Sequence, residues 1–211
     1  AITVGGNITL NATSNNTALI DVMDMSISGI TVEVVRPEIV TGGSTQSHLG
    51  GNFTIDASGV TAIADATNSA TSQALSLEID GIDVQAPTTS IATNHISEAF
   101  VGLETDLHII GGTLTLNAIS NNTALLDQTS AVDIGAIDVA VVNSTVDAGG
   151  LTRAFVDEGS TIESNGLSVV ATATNTATVN TFNFSIAGID VEVAKPVAKT
   201  THNVAAFLGP A

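Results

Sequence analysis

Carboxylates are the side chains in this chain best placed to do chemistry. Asp83, Asp138 and Asp190 each follow an isoleucine in GIDV, AIDV and GIDV, and Thr31 holds the same place in GITV. Glu33 and Glu192 stand two residues further on, which puts them on the same side of an extended strand. An Asp and a Glu so spaced could share a Ca²⁺ with neighbouring oxygens, because calcium is a hard cation that gathers several oxygen ligands. The plainer expectation is a solvated acidic stripe. The glycine-rich nonapeptide of calcium-binding rolls is absent.

Other chemistry finds little support. The four histidines, His48, His95, His108 and His202, show neither H-x-x-x-H nor H-x-H spacing, so a zinc or triad site is not expected. His48 stands where later copies carry Phe and reads as a packing substitute. No phosphate-binding glycine loop and no G-x-S-x-G elbow is present, and no residue is assigned a catalytic role. Asn-x-Ser/Thr triplets, such as those at Asn7 and Asn143, are expected from composition alone. They matter only if the chain follows a glycosylating route.

The elements that carry these residues are set by repetition. SNNTALID at 14–21 returns as SNNTALLD at 120–127. Loosened to A-x-x-x-N-[TS]-A, the motif occurs four times, led by Ala12, Ala64, Ala118 and Ala171. A second landmark places Ile30, Ile82, Ile137 and Ile189 in order, and a third places His48, Phe100, Phe155 and Phe207. The last two landmarks are 18 residues apart in every copy, so the chain is four tandem units of about 53 residues. The AFLGPA end and the AITVGGNITLNA start splice into a proper repeat. The expectation is one continuous solenoid segment over 1–211, cut from a longer tandem array.

Each unit holds two strand-like starts with period-two alternation, ITLNA and ITVEV in the first copy. Three short strands and a turn over 22–30 residues predict one coil of a parallel β-solenoid. The class is therefore all-β: a right-handed parallel β-helix with two coils per repeat and about eight in all, roughly 40 Å long. Asn16, Asn68, Asn122 and Asn175 are expected at structural corners, since Asn tolerates left-handed backbone. The stripe Asp83, Asp138, Asp190, Glu33 and Glu192 is expected to face outward. Alternate-coil spacing would set its members roughly 9–10 Å apart. Segments such as RPEIVTGGSTQ and APTTSIATNHIS, opened by Pro37 and Pro87, are expected to be projecting loops.

Composition narrows the function. Hydrophobic residues make up 44 % of the chain but aromatics only 3 %, which suits a thin core of pleated strands. With 21 acidic residues against 4 basic ones, the net charge is −17, which argues against nucleic acid and anionic lipid as partners. No apolar run approaches a membrane span, and there is no cysteine for a disulfide framework.

The segments GNITLNA, GGTLTLNA, SISGITVEV, SIAGIDVEV and AFVG make the chain resemble the shafts of large repetitive bacterial surface adhesins, the filamentous-haemagglutinin-like β-helix proteins. That resemblance implies a non-catalytic structural or adhesive segment, extracellular or on the cell surface. It would continue end to end with itself and could meet surface glycans, with no cofactor beyond possible Ca²⁺. The alternative is a carbohydrate-binding or carbohydrate-cleaving β-helix. Four basic residues scattered over the chain and the absence of Trp and Tyr leave that alternative few sugar platforms. Ice binding through flat threonine arrays is a third reading, but no strict T-x-T ladder recurs.

Overall fold

The computed structural model describes the backbone of residues 1–34 and 36–209, with their side chains except at 74–76, 128–132 and 182–183. Its strands lie in two all-parallel sheets that wind as a β-solenoid. Coil 1 consists of β1 (Ile2–Thr3), β2 (Asn7–Glu33) and β3 (Glu38–Leu49). Coil 2 repeats it with β4 (Thr54–Ala57), β5 (Gly59–Gln85) and β6 (Thr88–Val101). In coils 3 and 4 the two long strands run together without a break. Coil 3 is β7 (Asp106–Ile109) and β8 (Thr113–Val156), and coil 4 is β9 (Thr161–Glu163) and β10 (Gly166–Leu208).

The repeat landmarks coincide with the stacking register. Ala12 pairs with Ala64, Ala64 with Ala118, and Ala118 with Ala171. The isoleucines of GITV and its cognates pair likewise, as do His48, Phe100, Phe155 and Phe207. Parallel, tandem-repeat solenoid architecture is therefore established, but the expected coil count is not. Neighbouring strands pair residues a whole repeat apart, as in Asn7↔Gly59, so each repeat is one coil and the chain has four coils instead of eight. At one strand spacing per coil, the stack is roughly 20 Å high.

The two strand starts in each repeat turn out to be the outbound and return legs of a single flattened coil. Ser14 Oγ meets Thr45 Oγ1 at 2.5 Å, Ser47 Oγ donates to the Leu10 carbonyl, and Ser26 Oγ meets Thr31 Oγ1 at 3.3 Å. These contacts run antiparallel along the coil, so the chain reverses at a tip near Gly29. The segments expected to project as loops are the return strands β3 and β6. Pro37 and Pro87 occupy the short breaks before them, where no ladder N–H is lost. Corners at the base use left-handed backbone at Asn52 and Glu104, with φ of 62° and 51°.

Burial alternates along both legs, and the interior is zoned from base to tip. The base is apolar, with Ile55, Val60, Leu107, Leu114, Leu116 and Val101 packed together. A polar layer follows, then a second apolar cluster of Ile39, Ile91, Leu126, Val146 and small alanines. The tip is acidic.

The polar layer contains the four asparagines, and here the corner expectation is corrected. Asn16, Asn68, Asn122 and Asn175 lie within β2, β5, β8 and β10 and outside the left-handed region. Asn16 Nδ2 donates to Asn68 Oδ1, Asn68 Nδ2 to Asn122 Oδ1, and Asn122 Nδ2 to Asn175 Oδ1, each at 2.8 Å. An amide carries both donor and acceptor, so one residue type can satisfy itself up the whole stack. Opposite this ladder runs another, Gly43–His95–Gly150–His202. His95 Nε2 lies 2.8 Å from Thr45 Oγ1 of coil 1, and its Nδ1 lies 3.4 Å from Asn16 Nδ2. His202 makes the same contacts in coil 3, 2.7 Å to Thr152 and 3.3 Å to Asn122. Each ring leans over a glycine of the coil beneath. Coils therefore alternate in kind, and the octapeptide that returns two repeats later marks the coils that receive a histidine.

On the outside, His48 stacks on Phe100, Phe100 on Phe155 and Phe155 on Phe207, with centroids 4.6, 4.9 and 5.1 Å apart. His48 continues an aromatic ladder, in keeping with its role as a Phe substitute.

Candidate metal centre

The tip inverts the usual arrangement of an amphipathic strand. Met23, Met25, Ile27, Ile30, Val32 and Val34 lie outside, and Thr31 and Glu33 turn inward. ITVEV alternates with the expected parity, but the face turned inward is the one expected outside. Asp83 and Asp138, expected on an outward stripe, are 1 % and 2 % exposed in the interior. They occupy adjacent coils in direct register, which also removes the separation of roughly 9–10 Å expected from alternate coils.

Symmetry about the tip supplies the partners. Residues five apart face each other across it: Ser26 with Thr31, Glu78 with Asp83, and Asp133 with Asp138. In coil 2, Gln85 Nε2 donates at 2.6 Å to both Glu78 Oε2 and Asp83 Oδ2. Asp80 reaches to coil 1, where the Ser28 N–H donates to Oδ1 at 2.6 Å. Coil 3 has an extra residue, and register shifts between Gln73 and Ser76 and between Thr181 and Asn183 absorb it. Asp133 consequently still points inward, and it is 3 % exposed.

Oxygens from Asp83, Asp133 and Asp138 lie within 4.8 Å of one another. Glu78, Asp80 and Asp83 form a second such group, and Asp24, Glu33 and Glu78 a third. Asp190 extends the line on coil 4 but is exposed, and Glu192 is exposed and belongs to none of these groups. Glu78, Asp80, Asp133 and Asp24 were not singled out from the sequence. Their signal is the five-residue spacing across the tip, visible in LEIDGID once the reversal is known.

Electrostatics divides the carboxylates. Burial, reinforced by Glu78 and Asp80, pushes Asp83 up to about 6. Burial and then the charges of Asp138 and Asp83 push Asp133 up to about 7. Burial likewise raises Asp138, and it raises Glu33, reinforced by the neighbouring Asp24 carboxylate. Asp80 moves the other way, held ionised by the Thr31 hydroxyl and the Ser28 N–H. No Lys, Arg or His occurs in 76–85 or 131–140 to neutralise the group. Of the four basic residues, Arg153 pairs with Glu98 and Lys199 with Asp147, both away from the tip. Such a seam can hold protons or a hard cation.

Among the described residues, no histidine joins a group able to share a cation. His108 meets Asp56 at 3.2 Å on the third side of the coil. Among the described residues no helix is long and apolar enough to cross a membrane. No protein-family profile, curated protein or solved structure matches the chain.

Proposed function

We propose that this chain is a non-catalytic shaft segment of an extracellular or cell-surface fibre, of the kind found in large repetitive adhesins. The observation carrying the proposal is the stacking itself, in which each repeat pairs residue for residue with the next in parallel register. Positions closed in coils 2 and 3 lie open in coils 1 and 4: Ala64 and Ala118 are fully buried, whereas Ala12 and Ala171 are half-buried. Each end of the stack thus presents an unpaired ladder edge backed by apolar side chains such as Leu10 and Val169. Another coil of the same kind covers such a face in register, within one long chain or as a second copy. The histidine–glycine alternation supports this, since a coil like coil 1, with its glycine, is what coil 4 calls for next. Strong negative charge keeps such rods apart sideways, and surface glycans are the partner class the exposed faces would meet.

Electron microscopy of the purified protein across a concentration series tests the reading. The expected result is rods many coils long with a strand repeat of about 4.8 Å along the axis. Particles only four coils high at every concentration, together with turnover of a polysaccharide, would overturn it.

A further inference from the structure

The acidic tip holds more buried carboxylate oxygen than its own donors can satisfy. Asp133 is 3 % exposed, and neither of its carboxylate oxygens has a hydrogen-bond partner. Oδ1 of Asp83 and Oδ1 of Asp138 are in the same condition. The hydroxyl of Ser185, register neighbour of Asp133 on coil 4, is shielded from solvent and lies against Asp138. Elsewhere in the interior the hydroxyls of Thr41, Ser72, Thr93 and Ser144 also lack partners, but they are neutral. The buried asparagine amides find partners within the stack, and only at the tip are buried carboxylate oxygens left without one among the described residues. An uncompensated buried carboxylate is costly, and three facing one another are more so.

We propose that the tip binds a calcium ion between Asp83 of coil 2 and Asp133 and Asp138 of coil 3, with Ser185 Oγ at its coil-4 side. Two oxygens on one Ca²⁺ at its usual bond length lie no more than about 5 Å apart, and the three carboxylates meet that limit. All the donors are hard oxygens, which disfavours zinc and copper. The two carboxylates of coil 3 face each other across the tip and the third comes from the coil below. The ion therefore ties outbound leg to return leg and coil to coil. Mg²⁺ fits poorly, because it demands a tight octahedron and retains its water.

The test uses the intact chain stripped with EDTA and then dialysed against CaCl₂, with MgCl₂ in parallel. Bound calcium is counted and thermal unfolding followed by circular dichroism. Saturable uptake of Ca²⁺ in preference to Mg²⁺, with a calcium-dependent rise in Tm, is expected. Asp133→Asn removes a repelling charge, so it folds in EDTA at least as stably as the parent, and its calcium affinity falls by more than about tenfold. Asp138→Asn gives a second reading of the same loss, while Asp56→Asn on the third side leaves uptake unchanged. Absence of saturable uptake by the parent chain, or unchanged affinity in both tip variants, overturns the proposal. Both readouts work on single chains, so the answer stands whether or not rods form.

Discussion

At Gly150 the backbone has φ of 134°, and a Cβ there would press on the His95 carbonyl and come within 3.0 Å of the His202 ring. Gly150→Ala therefore meets backbone strain and a steric clash together. A loss of more than about 2 kcal/mol is expected in urea unfolding, against less at open Gly5. The rings themselves are held neutral, because burial lowers both His95 and His202 below the ordinary histidine value. The side chains around His95 are Ser14, Asn16 and Thr45, none of them charged. Above pH ~6.5 the histidines are neutral in both the folded and the unfolded chain, and their packing contributes in full. As pH falls below that, the unfolded chain takes up protons that the folded one refuses, so the contribution shrinks. The stability difference between the parent and a His95→Asn/His202→Asn variant should thus narrow from pH 7 to pH 5. Taking the difference cancels the titrating carboxylates at the tip.

At the scale of elements, register was legible and depth was not. Alanine, isoleucine and phenylalanine landmarks lie at equivalent places, because identical side chains stack on themselves in a parallel ladder. The 22 residues between strand starts looked like a coil, since period-two alternation cannot distinguish a next coil from a return leg. Return strands such as β3, with Gly42 and Gly43, and the Thr- and Ser-rich β6 look like loops for the same lack of tertiary context. The inward face of the tip was hidden by the ordinary rule that Ile and Val go inside, which the acidic seam breaks. The asparagine ladder is the element most open to test. Asn122→Ala strands the Asn68 amide and the Asn175 carbonyl and leaves a gap in a buried column. A loss of about 2–4 kcal/mol is expected in chemical unfolding. Asn16→Ala, on the end coil, breaks only one of these links and should cost less.

For the whole molecule, stability approximates a sum of coil terms and coil–coil interfaces, and the interfaces are of two kinds. A histidine coil over a glycine coil carries the ring contacts, and the reverse junction does not. Inserting a duplicate of coils 1 and 2 between coils 2 and 3 preserves the alternation and should raise Tm. Inserting a duplicate of coil 2 alone sets histidine against histidine and should lower Tm, although it too adds a coil. Thermal melts of the two constructions, read by circular dichroism, decide between this pairing rule and simple growth with length.

The same alternation bears on how a gene for such a solenoid can change. Unequal crossing-over between related repeats lengthens or shortens an array, and any repeat boundary can serve as the junction. Only exchanges that shift by two repeats leave every imidazole above a glycine; shifts by one create a fault in the stack. Natural length variants of this solenoid should accordingly differ by even numbers of coils, a parity rule imposed on recombination by one ring lying over one missing side chain.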